Sequence, residues 1–385
     1  MRIQQILEKY VPLISNMLVP AIIYAVALFS FLVNNEFSDE TNNIFHISFY
    51  ALSFISLIIL LNFNINRHLF FTVCSVLTYI LINCIKREYG GDYAQTVWFG
   101  YLIILFPLNL IIFYLFGKFC FISSKSLQFV MLLLLEYGVV ELLGKYNINP
   151  TITIFGINII AFALYFSFIM VFLIKSIRAN NLYNYSTLYS AISVASGFYF
   201  SSSASALSIF FFISQLIIII DLVFTLTYNY FYDDSTGFYS RNSYMIKAKH
   251  FPFKYNLGII SIDNYDKLQK TFGYKKQKIL TNLIAEVIQE LTSEEIVFRY
   301  AKDQFVVLYK DKDNKEAFKH IDNIRRIIAG VSFGWSEKQP AIKLTVSCSL
   351  AEKKRSDAGA MEVLMRADKA MRKTLKFTHN VTSKG

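Results

Sequence analysis

The sequence predicts two fold classes in one chain: an N-terminal all-α polytopic membrane domain over residues 1–228, and a C-terminal α/β domain over residues 229–385 with helices packed on a central sheet. Residues 1–228 are dominated by Phe, Ile, Leu, Tyr and Val, which is more apolar surface than a soluble domain can bury. From Asp233 onward, charged residues recur every few positions. Strand and helix patterns alternate in that second part, as they do in α/β proteins.

The net charge of +11 does not by itself indicate a nucleic-acid-binding protein. Many Lys and Arg residues lie in short loops between apolar runs, where they set membrane orientation. The others lie beside acids in the C-terminal part, as on a solvated surface. No nucleic-acid partner is therefore predicted. The four cysteines form no CxxC pair and the five histidines have no metal-ligand spacing, so neither a disulfide framework nor a zinc site is supported.

Eight apolar runs are candidates for helices that cross a bilayer, each of which needs about 20 residues. Their centres lie near Tyr24, Phe54, Ser75, Leu105, Leu133, Ala163, Ser193 and Ile217. The seventh run, STLYSAISVASGFYFSS, is rich in Ser and Gly, and such small residues suit close helix packing. The N-terminus carries no small-residue cleavage signature, so we expect the first run to be retained as an anchor.

The charges of the loops predict the orientation of these helices. With the N-terminus inside, the inner segments carry seven basic residues and the outer loops carry three. The first outer loop, NNEFSDETNN, is acidic. The positive-inside rule then predicts a multi-pass membrane protein with both termini in the cytoplasm.

Three carboxylates lie within the apolar runs: Glu136, Glu141 and Asp221. Such groups are expensive in a bilayer and often functional. We expect interfacial positions for Glu141, which is four residues before Lys145, and for Asp221, which is about two turns from the inner edge. Glu136 lies deeper. Two interpretations stay open for it: a ligand-sensing group, or a partner in a hydrogen bond between helices.

The C-terminal part contains one ordered series of strand and helix patterns. A buried strand, YNLGIISID (255–263), precedes two helical patterns, NYDKLQKTFG and KKQKILTNLIAEVIQELTS. A hairpin follows, EIVFRY and QFVVLY, and then the helix NKEAFKHIDNIRRIIAG, the strand AIKLTVSCSLA and the helix GAMEVLMRADKAMRKTLKF. About 150 residues are enough for one core.

These segments resemble, in order and in spacing, the GGDEF domain of diguanylate cyclases. The segment DDSTGFYSRNSY (233–244) resembles that family's opening D-x-L-T-G-L-x-N-R. The segment RYAKDQFVVLY (299–309) lies where the family has R-Y-G-G-D-E-F. LTVSCSLA (344–351) resembles the family's T-V-S-I-G-x-A strand, and ADKAMRKTLKFTHNV (367–381) resembles its closing motif. The resemblance covers essentially the whole C-terminal part.

The resemblance implies an activity with defined needs. Members of the family join two GTP molecules into cyclic di-GMP, and two domains each present one GTP, which implies a homodimer. Mg²⁺ or Mn²⁺ neutralises the developing charge and is held by carboxylates. Two glycines at the hairpin tip let the backbone approach the nucleotide.

The hairpin tip departs from this pattern. Ala301 and Lys302 replace the two glycines, and Asp303 keeps the first acid. Gln304, an amide, replaces the second acid, and Phe305 keeps the core phenylalanine. Ser261 falls where the family has a metal-binding aspartate. Asp263, two residues further on, faces the same side of the strand and is a candidate to stand in for it, one residue pair deeper.

Positions that would recognise GTP differ as well. Gln269 replaces the family's base-binding asparagine, and the family's later aspartate falls on Gln277 or Lys278. The family's basic pair that binds the terminal phosphate falls on Leu375 and His379. The family's product-inhibition motif, RxxD, falls on Thr292 and Glu295.

These substitutions predict a degenerate, catalytically inactive domain in a membrane-anchored signalling protein. The expected partners are the lipid bilayer, GTP or a cyclic dinucleotide, and a second copy or a partner protein. The candidate nucleotide-binding residues are Lys302, Asp303, Gln269 and Asp263. Asp303 is the candidate metal ligand, with Ser261 at the lost ligand position. No resident cofactor is predicted, and Mg²⁺ or Mn²⁺ is implied only for an active enzyme.

Two alternatives remain open at this point. One is an active diguanylate cyclase with an unconventional metal site built from Asp303 and Asp263. The other is a membrane transport or export component with a regulatory tail, in which Glu136 would be functional.

Overall fold

The computed structural model of the chain describes residues 2–385 apart from 35, 64, 65, 117–130, 132–134, 137, 141, 144, 147–152, 155, 156, 179–184, 204, 234, 311 and 334–341. The chain divides into two compact units, Met1–Phe224 and Thr225–Gly385.

The N-terminal unit is built from long apolar helices. They are α1 (Arg2–Asn34), α2 (Asp39–Phe63), α3 (Asn66–Tyr89), α4 (Val97–Phe116), α5 (Ile159–Arg178), α6 (Ser186–Tyr199) and α7 (Ala206–Phe231), the last of which runs into the second unit. A 3₁₀ turn (Gly90–Gln95) joins α3 to α4, and a two-residue antiparallel pair joins Thr153–Ile154 to Ile157–Asn158.

Five described segments are long and apolar enough to cross a membrane. They are Met17–Asn34, Asp39–Phe63, His68–Gln95, Val97–Leu115 and Ala206–Phe231, and they contain the predicted centres near Tyr24, Phe54, Ser75, Leu105 and Ile217. The apolar part of α5, Ile159–Ile174, is shorter. The predicted span near Leu133 lies mostly outside the described residues, and so does Glu141.

The seventh predicted span differs from the expectation. Helix α6 has 14 residues and is therefore about 21 Å long, whereas the hydrocarbon core of a bilayer is about 30 Å thick. The helix ends because the chain turns at Ser201 and Ser202. Small residues do allow close packing: the Ser193 hydroxyl donates to the Phe210 carbonyl at 2.7 Å, and a Cβ on Gly197 would lie 3.2 Å from that of Phe210.

Asp221, for which an interfacial depth is expected, contacts another helix of the bundle. Its side chain is buried, and its Oδ2 lies 2.8 Å from Nε2 of His68 on α3. Nδ1 of His68 in turn lies 3.4 Å from the Thr187 hydroxyl. Depth along a helix does not tell which way a side chain points, and this one points into the helix bundle.

The C-terminal unit has a mixed six-stranded sheet. Its strands are β1 (Tyr239–Ser240), β2 (Asn256–Ile262), β3 (Ile296–Ala301), β4 (Gln304–Tyr309), β5 (Val346–Glu352) and β6 (Thr382–Lys384), in the order β6-β5-β2-β4-β3-β1. The pairs β6–β5 and β3–β1 are parallel, and the other pairs are antiparallel. A separate short pair joins Ser332–Phe333 to Ile342–Lys343.

Four helices cover both faces of the sheet, which explains why all seven residues of β2 are buried. The helices are α8 (Arg241–Lys247), α9 (Tyr265–Leu291), α10 (Asn314–Gly330) and α11 (Ala360–Leu375), with a 3₁₀ turn at Ala248–His250. Helices α9 and α10 pack on one face, and α8 and α11 on the other. Helix α9 is kinked at Gly273, where φ is 78°, so it contains both predicted helical patterns. The predicted α/β class of this part is confirmed.

Candidate functional site

The tip of the β3–β4 hairpin is a two-residue turn. Ala301 and Gln304 lie opposite each other, and Lys302 and Asp303 form the turn itself. Among the described residues, only Asn264 and Asn380 are non-glycine residues with positive φ. The turn therefore does not require the left-handed backbone that favours glycine, and Ala301 and Lys302 fit it without strain.

A buried arginine supports this tip from below. The Arg299 guanidinium donates to the Lys302 carbonyl through Nη2, lies 4.3 Å from the ring centre of Phe305, and is 8% exposed. Burial lowers the pKa of Arg299, and the charges of Asp233 and Asp303 oppose that shift. This arginine is used to hold the turn in place.

Asp233, in the loop before β1, is held as a carboxylate. Its Oδ1 accepts hydrogen bonds from the Ser235 hydroxyl (2.7 Å), the Thr236 hydroxyl (2.8 Å) and the Thr236 amide (3.0 Å). Burial alone would raise the pKa of Asp233, but these hydrogen bonds and the charge of Arg299 bring it below its ordinary value. The opening motif thus forms a tight turn beside the hairpin.

The structure brings Ser261 and Asp303 together. The Ser261 hydroxyl donates to Oδ2 of Asp303 at 3.3 Å, and the Ile262 amide donates to the Asp303 carbonyl at 2.9 Å. Ser261 is also the register partner of Gln304 across β2 and β4. Lys302 is exposed at the end of the turn. The oxygen ligands that the tip offers are therefore one carboxylate, one hydroxyl and one side-chain amide.

Asp263 is not part of this group, contrary to the expectation. It is 7% exposed, and its carboxylate accepts hydrogen bonds from the Thr345 hydroxyl (2.7 Å), the Ser347 hydroxyl (2.8 Å) and the Asn380 amide (3.0 Å). Nδ1 of His379 lies 3.6 Å from its Oδ1. The Ser347 hydroxyl that binds Asp263 belongs to the register partner of Ser261, so Asp263 lies on the same face of the sheet as Ser261, but its carboxylate is directed toward β5 and the C-terminal segment.

A second ionic group extends this network. Nη1 of Arg325 donates to Oδ1 of Asn380 at 2.8 Å, and Nη2 of Arg325 lies 2.8 Å from Oδ1 of Asp322. The Thr382 hydroxyl also donates to Asp322, at 2.8 Å. Sequence reasoning missed this network. The only features of the sequence that could have indicated it were Asp263, which follows a buried strand, and Asn380, which precedes the last strand.

The positions at which the family recognises the GTP base differ in their exposure. Gln269 is exposed on α9. Gln277 is 2% exposed, and its Nε2 donates to the Tyr265 carbonyl at 3.0 Å, so it joins the two parts of the kinked helix. Lys278 and Lys376 are exposed, and His379 is half exposed.

The residues at the product-inhibition positions have structural partners. The Thr292 hydroxyl donates to the Ile288 carbonyl at 2.6 Å, at the end of α9. Glu295 is buried and pairs with Lys312. Within the described ranges, no three His, Cys, Asp or Glu side chains are grouped so that they could hold a metal ion.

In the N-terminal unit, Glu136 has a hydrogen-bond partner on another helix. Nδ2 of Asn109, on α4, donates to Oε2 of Glu136 at 2.9 Å. This contact matches the second of the two interpretations left open for Glu136, and it does not exclude the first.

Comparison with known proteins gives a match to one family. The family model described as "Diguanylate cyclase, GGDEF domain" matches residues 231–380. The chain is also similar to the GGDEF domain of DgcB from Caulobacter crescentus, solved in complex with c-di-GMP (17% identity, 40% of this chain and 92% of that chain, TM-score 0.37). No curated protein matches.

Two further solved structures are also similar to a part of the chain. One is the FimX GGDEF domain from Pseudomonas aeruginosa (20% identity, 40% of this chain and 99% of that chain, TM-score 0.37). The other is the active GGEEF domain of a diguanylate cyclase from Vibrio cholerae (19% identity, 37% of this chain and 89% of that chain, TM-score 0.33). The matched range of the family model contains the opening turn, the hairpin tip and Asn380. Residues 231–380 of this chain are therefore a GGDEF domain.

Proposed function

We propose that this protein is a membrane-anchored signalling protein whose GGDEF domain regulates by binding and does not make cyclic di-GMP. The observation that carries the proposal is the arrangement of carboxylates near the hairpin. Asp303 is the one acid at the tip, whereas the carboxylate of Asp263 is already used by Thr345, Ser347 and the Asn380 amide.

The donor set fits a divalent cation poorly. Mg²⁺ and Mn²⁺ prefer charged oxygen ligands, and the condensation of two triphosphates requires cations that neutralise developing charge. Ser261 and Gln304 supply neutral oxygens beside the single charge of Asp303. Loss of one such carboxylate removes several kcal/mol of charge stabilisation, which corresponds to orders of magnitude in rate.

The hairpin tip remains suited to binding. Lys302 is exposed on a rigid turn and presents a point charge to an anion. The structure of the GGDEF domain of DgcB contains c-di-GMP. We therefore propose GTP or a cyclic dinucleotide as the ligand of this domain, and a second copy or a partner protein as its target.

The five long apolar helices support a membrane location. The distribution of Lys and Arg favours a multi-pass arrangement in the bacterial inner membrane with both termini in the cytoplasm. This arrangement would put the GGDEF domain where cytoplasmic nucleotides and proteins can reach it.

The test uses the full chain in nanodiscs. Incubation with GTP and Mg²⁺ or Mn²⁺ is expected to give no cyclic di-GMP. Titration with GTP, ATP and cyclic di-GMP is expected to detect saturable binding that weakens in Lys302→Ala and is unchanged in Lys319→Ala, an exposed lysine on α10. Equal affinities of both variants and the unmodified chain for every nucleotide would reject the tip as a nucleotide site.

An active cyclase is the competing function. The contact between Ser261 and Asp303 favours it, because a hydroxyl beside a carboxylate is a partial metal site. Formation of cyclic di-GMP that disappears in Asp303→Ala would establish the cyclase and reject the proposal.

A further inference from the structure

A cavity of about 530 Å³ in the N-terminal unit lies among α3, α4 and the residues Glu136 and Val140. Its walls are mainly apolar, with Leu77, Leu81, Leu102 and Phe106 among them. The volume falls within the range of about 300–1,000 Å³ that is usual for small-molecule sites.

One end of the cavity is polar. Asn109 and Glu136 line it and are joined by the hydrogen bond from Nδ2 to Oε2. Asn109 is only 6% exposed, and its Oδ1 has no hydrogen-bond partner among the described residues. A buried amide oxygen without a partner costs about 1–3 kcal/mol, so this oxygen is suited to accept a hydrogen from a ligand.

The charges of the lining select the class of ligand. The described lining contains two acids, Glu136 beside Asn109 and Glu88 near the end of α3, and it contains no Lys, Arg or His. The polar groups at the deep end are therefore acceptors: the Asn109 carbonyl and the carboxyl oxygens of Glu136. An ammonium group carries three donors and no acceptor, which complements them.

The cavity is also elongated. Trp98 and Asn109 both line it and are eleven residues apart on α4, which corresponds to about 16 Å along the helix. Apolar side chains line the interval, so the site suits a chain-like apolar body with one charged head.

We propose that this cavity binds an amphiphilic amine, a molecule with a single apolar chain and a terminal ammonium group, and that Asn109 and Glu136 hold the ammonium. The site is separate from the GGDEF domain, and the proposal does not depend on the function proposed for that domain.

Trp98 lines the cavity, so its fluorescence can report the binding of a ligand there. The chain has two tryptophans, so Trp335→Phe leaves Trp98 as the only one. This variant, in phosphatidylcholine nanodiscs, is titrated with octylammonium while the fluorescence of Trp98 is recorded. A saturable change is expected, with binding of 1-octanol weaker by about ten- to hundredfold, since a hydrogen bond to a charged group is worth that factor.

Two variants and a matched control test the polar end. Glu136→Gln and Asn109→Leu are expected to weaken octylammonium binding by about ten- to hundredfold. Glu40→Gln, which changes an exposed acid at the start of α2, is expected to leave it unchanged. Because all variants are measured in the same lipid, partition of the probe into the bilayer cancels. Competition by added phosphatidylethanolamine would support the same ammonium site and identify a lipid headgroup as its source.

A measurement on the unmodified chain guards against misfolded variants. Cys84 lines the cavity and is exposed. Its labelling by a maleimide, measured by peptide mass spectrometry, is expected to slow in octylammonium and not in 1-octanol. A fluorescence change that rises without saturation, together with unchanged Cys84 labelling, would overturn the proposal. Equal binding of octylammonium and 1-octanol would also overturn it, because the cavity would then recognise only the apolar chain.

Discussion

The Asp263 carboxylate accepts a hydrogen bond from the Asn380 amide at 3.0 Å, across a sequence separation of 117 residues. Asn380 has a φ of 58° and precedes β6, the edge strand that pairs with β5. This contact fixes the end of the chain against the centre of the sheet. It also explains why Asp263 is unsuited to be a metal ligand, since its oxygens already have partners.

Asp263→Ala is expected to loosen the C-terminal strand. The change removes the acceptor of two hydroxyls and leaves the Asn380 amide only the Ser347 hydroxyl, at 3.1 Å, and each hydrogen bond to a charged group is worth about 1.5–3 kcal/mol. Hydrogen–deuterium exchange of the full chain should show exchange over residues 378–385 accelerated by about tenfold or more. Asp266→Ala, which alters an exposed acid on α9, is the control and should have no effect. Unchanged exchange over residues 378–385 in Asp263→Ala would contradict the tether.

The stability of the same strand should depend on pH through Asp322. Burial by itself would raise the pKa of Asp322, but hydrogen bonds from Thr382 and Arg325 and the charges of Arg325 and Arg326 lower it. A lowered pKa in the folded state means that the stabilisation is complete above the ordinary Asp value near about 4 and is lost as the pH falls through the folded value.

The pH effect can be measured by the same exchange experiment, corrected for intrinsic rates, at about pH 7 and about pH 3.5. Asp322→Asn should reduce the difference in protection of residues 378–385 between the two pH values. Glu290→Gln, at an exposed position of α9, should leave that difference as it is. The assignment to Asp322 fails if both variants retain the full acid sensitivity.

Ser261→Asp should make the thermal stability of the GGDEF domain depend on a divalent cation. The new carboxylate would lie beside Asp303, whose Oδ2 is now 3.3 Å from the Ser261 hydroxyl, and two adjacent carboxylates repel each other unless a cation lies between them. We expect a lower unfolding temperature without metal and a rise on addition of Mn²⁺, because a ligand that binds only the folded state stabilises it.

The control for that experiment is Ser261→Asp combined with Asp303→Asn, which should lose the response to Mn²⁺. A rise of the same size in the unmodified chain would mean that Asp303, Ser261 and Gln304 already hold a cation. That result would contradict the poor fit on which the proposed function rests.

In the N-terminal unit, substitutions of His68 and Asp221 should have strongly coupled effects on the free energy of unfolding. Removal of one partner from a buried ion pair costs about 3–5 kcal/mol, whereas its replacement by apolar groups of similar size can be nearly neutral. Thermal unfolding in detergent should therefore show larger losses for His68→Leu and Asp221→Leu than for Asp39→Ala, an exposed control on α2. The double variant should lose less than the sum of the single variants; strict additivity would argue against the pair.

Much of the hairpin could be derived from the sequence, because its parts are close neighbours in the chain. The β3–β4 turn, its exposed Lys302 and the core position of Phe305 follow from a local alternation of residues. The role of Asp263 could not be derived in this way. The alternation of a strand predicts the face that Asp263 takes, which it shares with Ser261, but it does not tell which groups of β5 and of the C-terminal segment bind its carboxylate.

The sequence by itself determined the division into an apolar helical part and an α/β domain, and the loss of one acid at the hairpin tip. The division depends on composition and short-range periodicity, which are visible in any segment of about twenty residues, and the lost acid is inferred from the resemblance of the hairpin to the family's motif. Only the tertiary structure decided which acids remain available. Asp263 and Asp221 are each engaged by groups far away in the chain, and the pairing of distant side chains is set by packing geometry, which no local pattern encodes.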